Sequence, residues 1–440
     1  MCYTCAQGKR KKIQKGMVIR MILIKNGIVI DPSCKREEKA DLLIKDGKIA
    51  QIAPYGEIAE QGCEILDAQG MIVAPGLVDV HVHFRDPGFT YKEDIDTGAQ
   101  AALHGGFTSV VLMANTKPAV DNEETLKYVL EKGQNTPIHV YTCASVTKGL
   151  GGREMVDMDV LHAQGAAGFT DDGIPLLDAA LLEQAMKEAA QLNVPISLHE
   201  ENPALIQNNG INSDIAQKHF GIGGSPREAE IDLISRDIEI ALKTGVILDI
   251  QHISTKEGVE LVRQARKKSS RIHAEATPHH FSLTQEAVVE HGTLAKMNPP
   301  LRLEEDRQAI IAGIQDGTID IIATDHAPHS VEEKAKPLTE APSGIIGLET
   351  ALSLGITNLV KTGKITMMQL LACMTCNPAQ MYGISAGNLA IGNTADIVVF
   401  DPEEQWTVGN FASKSSNSPF TGDKLTGVIK HTVVAGKIQF

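Results

Sequence analysis

Apolar and polar positions follow two rhythms along this chain, and the change of rhythm divides it. Near the start come short β-like segments, Ile22-Leu23-Ile24-Lys25-Asn26-Gly27 and Ala40-Asp41-Leu42-Leu43-Ile44-Lys45-Asp46-Gly47. Each runs into an Asn-Gly or Asp-Gly pair, the turn chemistry of a β-hairpin. The same texture returns only at the far end, in Ala395-Asp396-Ile397-Val398-Val399-Phe400 and in the run from His431 to Ile438. The expectation is one small β-sandwich domain assembled from residues 21–75 and 380–440.

Residues 76–379 behave differently. Apolar strand-like runs occur at 78–84, 109–113, 138–142, 167–169, 196–198, 246–250, 272–276 and 319–323. Runs that are mostly apolar are the mark of strands buried on both faces. Helical periodicity fills intervals such as 178–192 and 226–244. Strands alternating with helices in this number predict an α/β fold, a (β/α)8 TIM-type barrel. A doubly wound sheet fits the same count, because counting strands does not show closure.

Composition narrows the class. The chain has 440 residues, and 41 Lys and Arg against 55 Asp and Glu give a net charge of -14. That balance argues against nucleic acid or an anionic membrane as a partner. Seven cysteines, scattered and odd in number, point to a reducing compartment and a cytoplasmic protein. No apolar run reaches the roughly 18 residues that a membrane span needs. Residues 1–20 carry Cys2, Cys5 and the basic run Lys9-Arg10-Lys11-Lys12. They lack the apolar stretch of a signal peptide and read as a disordered leader.

The candidate chemistry lies at the ends of the apolar runs. His81 and His83 stand at i and i+2 after Gly76-Leu77-Val78-Asp79-Val80, so in a strand they face the same side. In α/β barrels the reacting groups sit at the C-terminal strand ends. Those ends carry, in order, His81 and His83, Asn115, Asp171-Asp172, His199, His252, Asn298 and Asp325. His326 and His329 follow. Histidines with carboxylates form a zinc-type ligand set, and there are more ligands than one tetrahedral ion takes. Two ions holding a hydroxide between them would suit hydrolysis of an amide or cyclic amide. Asp171 or Asp172 would bridge the ions, and Asp325 would act as proton acceptor and donor. The adjacent His279 and His280 read as supporting residues. The Cys373-Met374-Thr375-Cys376 stretch reads as helix packing.

Several motifs carry a resemblance. His81-Val82-His83-Phe84-Arg85-Asp86-Pro87-Gly88 with Tyr91-Lys92-Glu93-Asp94, Met113-Ala114-Asn115-Thr116, Ala323-Thr324-Asp325-His326-Ala327-Pro328-His329 and Gly347-Leu348-Glu349-Thr350 resemble the dihydroorotases of the amidohydrolase superfamily. The match spans essentially residues 21–440. It implies reversible, zinc-dependent interconversion of L-dihydroorotate and N-carbamoyl-L-aspartate in pyrimidine biosynthesis. Many superfamily members bridge their metals with a carboxylated lysine on the fourth strand. Here that place reads Gly168-Phe169-Thr170-Asp171-Asp172-Gly173, without lysine, which is similar to the class I bacterial enzymes where an aspartate bridges.

The resemblance then implies two zinc ions per subunit. His81, His83 and Asp325 would hold one and His199 and His252 the other, with Asp172 touching both and Asp171 as its alternative. Arg85, Asn115 and His329 would grip the substrate carboxylate, and Asn298, Ser343 and Gly344 would add contacts. The family usually has an aromatic residue beside Gly344 where this chain has Ser343. The charged segment 330–340 is a lid candidate. A homodimer and assembly with an aspartate transcarbamoylase are further implications. Two alternatives stand beside this reading. A hydantoinase-like cyclic amidase is disfavoured by the missing lysine and by Arg85. A non-catalytic scaffold for aspartate transcarbamoylase would be free to lose ligands, yet all are present.

Overall fold

The computed structural model describes residues 21–440. The leader expected over 1–20, with Cys2 and Cys5, lies outside the described residues. Between residues 77 and 326 a ring of parallel strands closes on itself. Leu77–Val82 pairs with Phe107–Leu112, which pairs with His139–Thr142. Pro195–Leu198, Ile247–Ile250, Ile272–Ala276 and Ile321–Ile322 form a second parallel run. Phe169 joins the two by bridging to Ala144 and Ile196, and Val82 meets His326 to complete the ring. The doubly wound alternative is thereby excluded. The fold is an α/β, (β/α)8 barrel.

Most of the strands are buried on both faces, as their largely apolar runs suggest, while His139–Thr142 is only partly buried. Val78, Val80, Val111, Ile321 and Ala323 pack together inside the ring. The outer faces meet helices such as Ala179–Leu192 and Glu228–Thr244, within two residues of the segments read from periodicity. Local chemistry sets helix starts. Asp94 accepts the Thr97 amide in a capping box before Ile95–His104, and Thr255 accepts the Gly258 amide before Lys256–Arg266. Cys373 is buried in the main core, a packing role.

Both chain ends share one eight-stranded sheet. Ile397–Thr407 runs antiparallel to Ile72–Pro75 and to Lys424–Val434, and Ile72–Pro75 lies beside Met21–Asp31. Ile22, Ile24, Leu42, Ile44, Val399 and Val433 form its own core. One hairpin expectation holds: Asp46-Gly47, both at positive φ, turns Arg36–Lys45 into Lys48–Pro54. The other fails. Asn26-Gly27 makes a bulge within the single strand Met21–Asp31 rather than a turn. The reason is competition for partners. Met21–Lys25 pairs with Cys63–Asp67, and Ile28–Val29 pairs with Ile72–Val73. The bulge is where the strand changes neighbours, and a Cβ on Gly27 would stand 2.5 Å from Val73 Cγ2.

Candidate metal centre

The first barrel strand, Leu77–Val82, carries His81 on its inner face, and the loop beyond it carries His83. The buried groups from other strand ends converge on this pair. His83 Nε2 lies 2.9 Å from Asp325 Oδ1, and His81 Nε2 lies 3.5 Å from the same oxygen. Across the centre, His199 Nδ1 and His252 Nε2 are 3.0 Å apart. Asp172 sits between the two sets. Its Oδ1 is 3.6 Å from His81 Nε2 and 3.8 Å from His199 Nδ1, while Oδ2 is 3.6 Å from His83 Nε2. Three overlapping triads result: His81, His252 and Asp325; His81, His83 and Asp172; and Asp172, His199 and His252.

The residues fit a metal cluster. The buried His81 Nε2 has no hydrogen-bond partner, an expensive vacancy for a polar atom unless it meets a cation. Electrostatics agree. Burial alone would raise the Asp172 carboxyl, but the imidazoles of His83, His81 and His199 outweigh it and hold it below the usual carboxylate range. Burial, together with the neighbouring His199 and His81, pushes His252 well down, which leaves a neutral imidazole suited to ligation. Asp171 faces away. Its carboxylate accepts the Val146 and Thr147 amides at 2.7 and 3.1 Å and bonds the Thr147 hydroxyl, so it serves the loop and stays outside the triads.

A cavity of ≈ 380 Å³ opens over the cluster, lined by Arg85, Asn115, Asn298, His329 and Ser343 among others. Arg85 adopts a positive φ of 59° and donates Nε to the Pro328 carbonyl at 3.3 Å. Asn115 plays inward as well, with Oδ1 3.0 Å from His83 Nδ1 and Nδ2 donating to Asp172 Oδ2 at 2.7 Å. His329 has both ring nitrogens engaged: Nε2 donates to the Ser343 carbonyl at 2.8 Å, and Nδ1 lies 3.2 Å from Lys92 Nζ. The buried Asn298 Oδ1 and Ser343 Oγ have no partner. Gly344 lies behind this wall, where a Cβ would come within 2.7 Å of His329.

Other groups were not singled out by sequence reasoning. Glu275 lies 2.8 Å from His81 Nδ1, and Glu201 lies 3.3 Å from His199 Nε2. A charged residue inside an otherwise largely apolar run, as in Ile272–Ala276, is the signal that could have found the first. Lys296 and Lys334 are buried cations that bind carbonyls of the segment 338–342 from beneath. The lid candidate carries the short helix Val331–Lys334, capped by Ser330. His280 is fixed by Thr277 and the Pro299 carbonyl, in keeping with a supporting role.

A closed barrel with a histidine and carboxylate cluster at its C-terminal mouth defines a metal-dependent hydrolase of the amidohydrolase type. The profile of the Amidohydrolase family matches residues 72–439, and the chain belongs to that family. It is 54% identical over 420 residues to a dihydroorotase of Clostridioides difficile, covering 96% of this chain and all of that one. A dihydroorotase of Clostridium acetobutylicum is 50% identical over 422 residues, 96% of this chain and 99% of the relative. Among solved structures, the L-hydantoinase (dihydropyrimidinase) of Arthrobacter aurescens superposes with a TM-score of 0.85 at 27% identity, covering 95% of each chain. The hydantoinase likeness extends over the barrel and the small β-sandwich alike. Within the family the chain is a dihydroorotase, a hydrolase.

Proposed function

We propose that the centre performs reversible hydrolysis of the ring amide of L-dihydroorotate to N-carbamoyl-L-aspartate, in pyrimidine biosynthesis, with two zinc ions per subunit. The observation that carries the metal part is Asp172, whose two oxygens lie 3.6–3.8 Å from His81, His199 and His83, a placement suited to a bridge. His81, His83 and Asp325 would hold one ion and His199 and His252 the other. When bound, such ions polarise the amide carbonyl and activate a water at neutral pH.

The chain's own residues then do the rest. Asp325 is the proposed catalytic group. It accepts a proton from the attacking water and returns it to the ring nitrogen as the C–N bond breaks. In the cyclising direction the same carboxyl runs the transfer backwards. Arg85 pairs with the substrate carboxylate through its planar fork. Asn298 and Ser343 offer the unpartnered oxygens in the cavity wall, and the Gly344 backbone keeps that wall close to His329. Asn115 and His329 remain proposed substrate contacts because both line the cavity.

The remaining parts of the proposal rest on the resemblance and on composition. They are a cytoplasmic location, a homodimer, assembly with an aspartate transcarbamoylase, and a division of the chain at 76–379 against 21–75 with 380–440. No helix among the described residues is long and apolar enough to cross a membrane. The deciding experiment follows the ultraviolet absorbance of dihydroorotate with zinc-loaded protein, with hydantoin and allantoin as controls. Turnover of dihydroorotate alone, lost on chelation and restored by zinc, is the expected result. Turnover of a control instead would move the substrate assignment to another cyclic amide.

A further inference from the structure

Six of the eight barrel strands end near groups already given a place. The seventh, Ile272–Ala276, supplies no candidate ligand from its end, yet carries a fully buried carboxylate, Glu275, in its interior. We propose that Glu275 is a positioning residue of the metal centre: its carboxylate fixes the tautomer and orientation of His81 so that Nε2 faces the cluster. The inference rests on the metal-centre reading above and names what supports its first ligand.

The geometry is direct. Glu275 Oε2 accepts from His81 Nδ1 at 2.8 Å, and both side chains are wholly buried. A neutral imidazole has one N–H, so placing it on Nδ1 leaves the Nε2 lone pair free. That free Nε2 is the atom left without a protein partner, within 3.5–3.6 Å of Asp325 and Asp172. Ligating histidines are regularly held this way, and loss of the outer partner weakens metal binding.

Charge gives an independent argument. An isolated carboxylate in a dry interior is costly unless an opposite charge compensates it. Among the described residues, no lysine or arginine pairs with Glu275; His81 is its ion-pair partner. The neighbouring buried acid Asp249, one strand over, accepts from Ser197 Oγ at 2.7 Å and lies against Glu275; burial and the Glu275 charge push its carboxyl well up. A cation on His81 Nε2 would complete the compensation through the ring. Glu275 and the cation therefore sit on opposite nitrogens of one imidazole, each making the other affordable.

The test compares zinc affinity, measured with Zn²⁺ alone by chelator competition, in the full-length protein and in Glu275→Gln and Glu275→Leu. Gln keeps an acceptor for Nδ1 and loses the charge; Leu loses both. The expected weakening is about tenfold for Gln and about a hundredfold for Leu, the span usual for an outer partner of a ligating histidine. The thermal midpoint of the zinc-free protein separates this from a packing role. Replacing an uncompensated buried charge by an apolar side chain should leave that midpoint unchanged or higher. Zinc affinity within about twofold of the parent in both variants would overturn the inference, on the same scale. So would a Gln variant that fails to fold with zinc present, since Glu275 would then support the fold. A parent that binds no zinc would instead overturn the metal-centre reading itself.

Discussion

At the residue scale, the division of labour in the cavity makes two contrasting variants informative. Asp325 is within 2.9 Å of His83 Nε2 and faces the cavity, and its proposed work is proton transfer. Asp325→Ala should lower kcat by about 10²–10⁴, the usual worth of a positioned acid–base group, while KM for dihydroorotate moves little. Rapid kinetics with zinc content assayed alongside would check this; near-parental turnover would remove Asp325 from its role. Arg85 should show the opposite split. Its guanidinium has only Nε committed, to the Pro328 carbonyl. Arg85→Ala should raise KM about ten- to a hundredfold, the equivalent of ~1.5–3 kcal/mol for a hydrogen bond to a charged group. An unchanged KM would argue that the carboxylate is held elsewhere. Asp171 and Asp172 teach the residue-scale lesson about reading. They are neighbours of the same type, both buried; residue type alone left the bridge open between them, and the resemblance favoured Asp172 with Asp171 as the alternative. The amides of Val146 and Thr147 capture Asp171, and those come from a loop whose position no local pattern announces.

At the scale of elements, the apolar runs were legible because burial on both faces keeps most strand positions apolar. Every barrel strand lies where such a run occurs, including the fourth, which shrinks to the single bridging residue Phe169. The Asn26-Gly27 pair was misread for an equally physical reason. Its dipeptide suits a tight turn, but the strand that follows finds a second parallel partner and continues. Gly27 is thereby pressed against Val73. Gly27→Ala should cost about 1–3 kcal/mol through overpacking, read as a lower urea midpoint without change in zinc affinity. A midpoint equal to the parent would show that Val73 gives way freely.

For the whole molecule, the contact between barrel and sheet is partly electrostatic. His139, in the third barrel strand, meets Asp396, next to the sheet strand Ile397–Thr407, at 3.0 Å. The hydrogen bond that His139 donates to Asp396, opposed by burial and aided by the Asp396 charge, raises the His139 pKa above the usual histidine value. A raised folded value means that the contribution is complete below about pH 6.5, the unfolded value. It is lost as pH rises through the higher folded value. His139→Gln should therefore melt below the parent at about pH 5.5, a unit below the unfolded value, with the gap closing as pH rises through the folded value. A gap that stays constant with pH would show that packing, not charge, joins the two parts there.

The sequence by itself determined the alternation of strand and helix, the β character of both ends, and the set of groups able to bind metal. These follow from periodicity and residue type, which act locally and survive without knowledge of the fold. Tertiary structure alone decided closure of the ring, which of Asp171 and Asp172 faces the histidines, the bulge at Asn26-Gly27, and the meeting of Glu275 with His81 across 194 residues of chain. Each depends on which distant segments become neighbours. That is set by how buried surfaces pack together, and no window of sequence contains both partners.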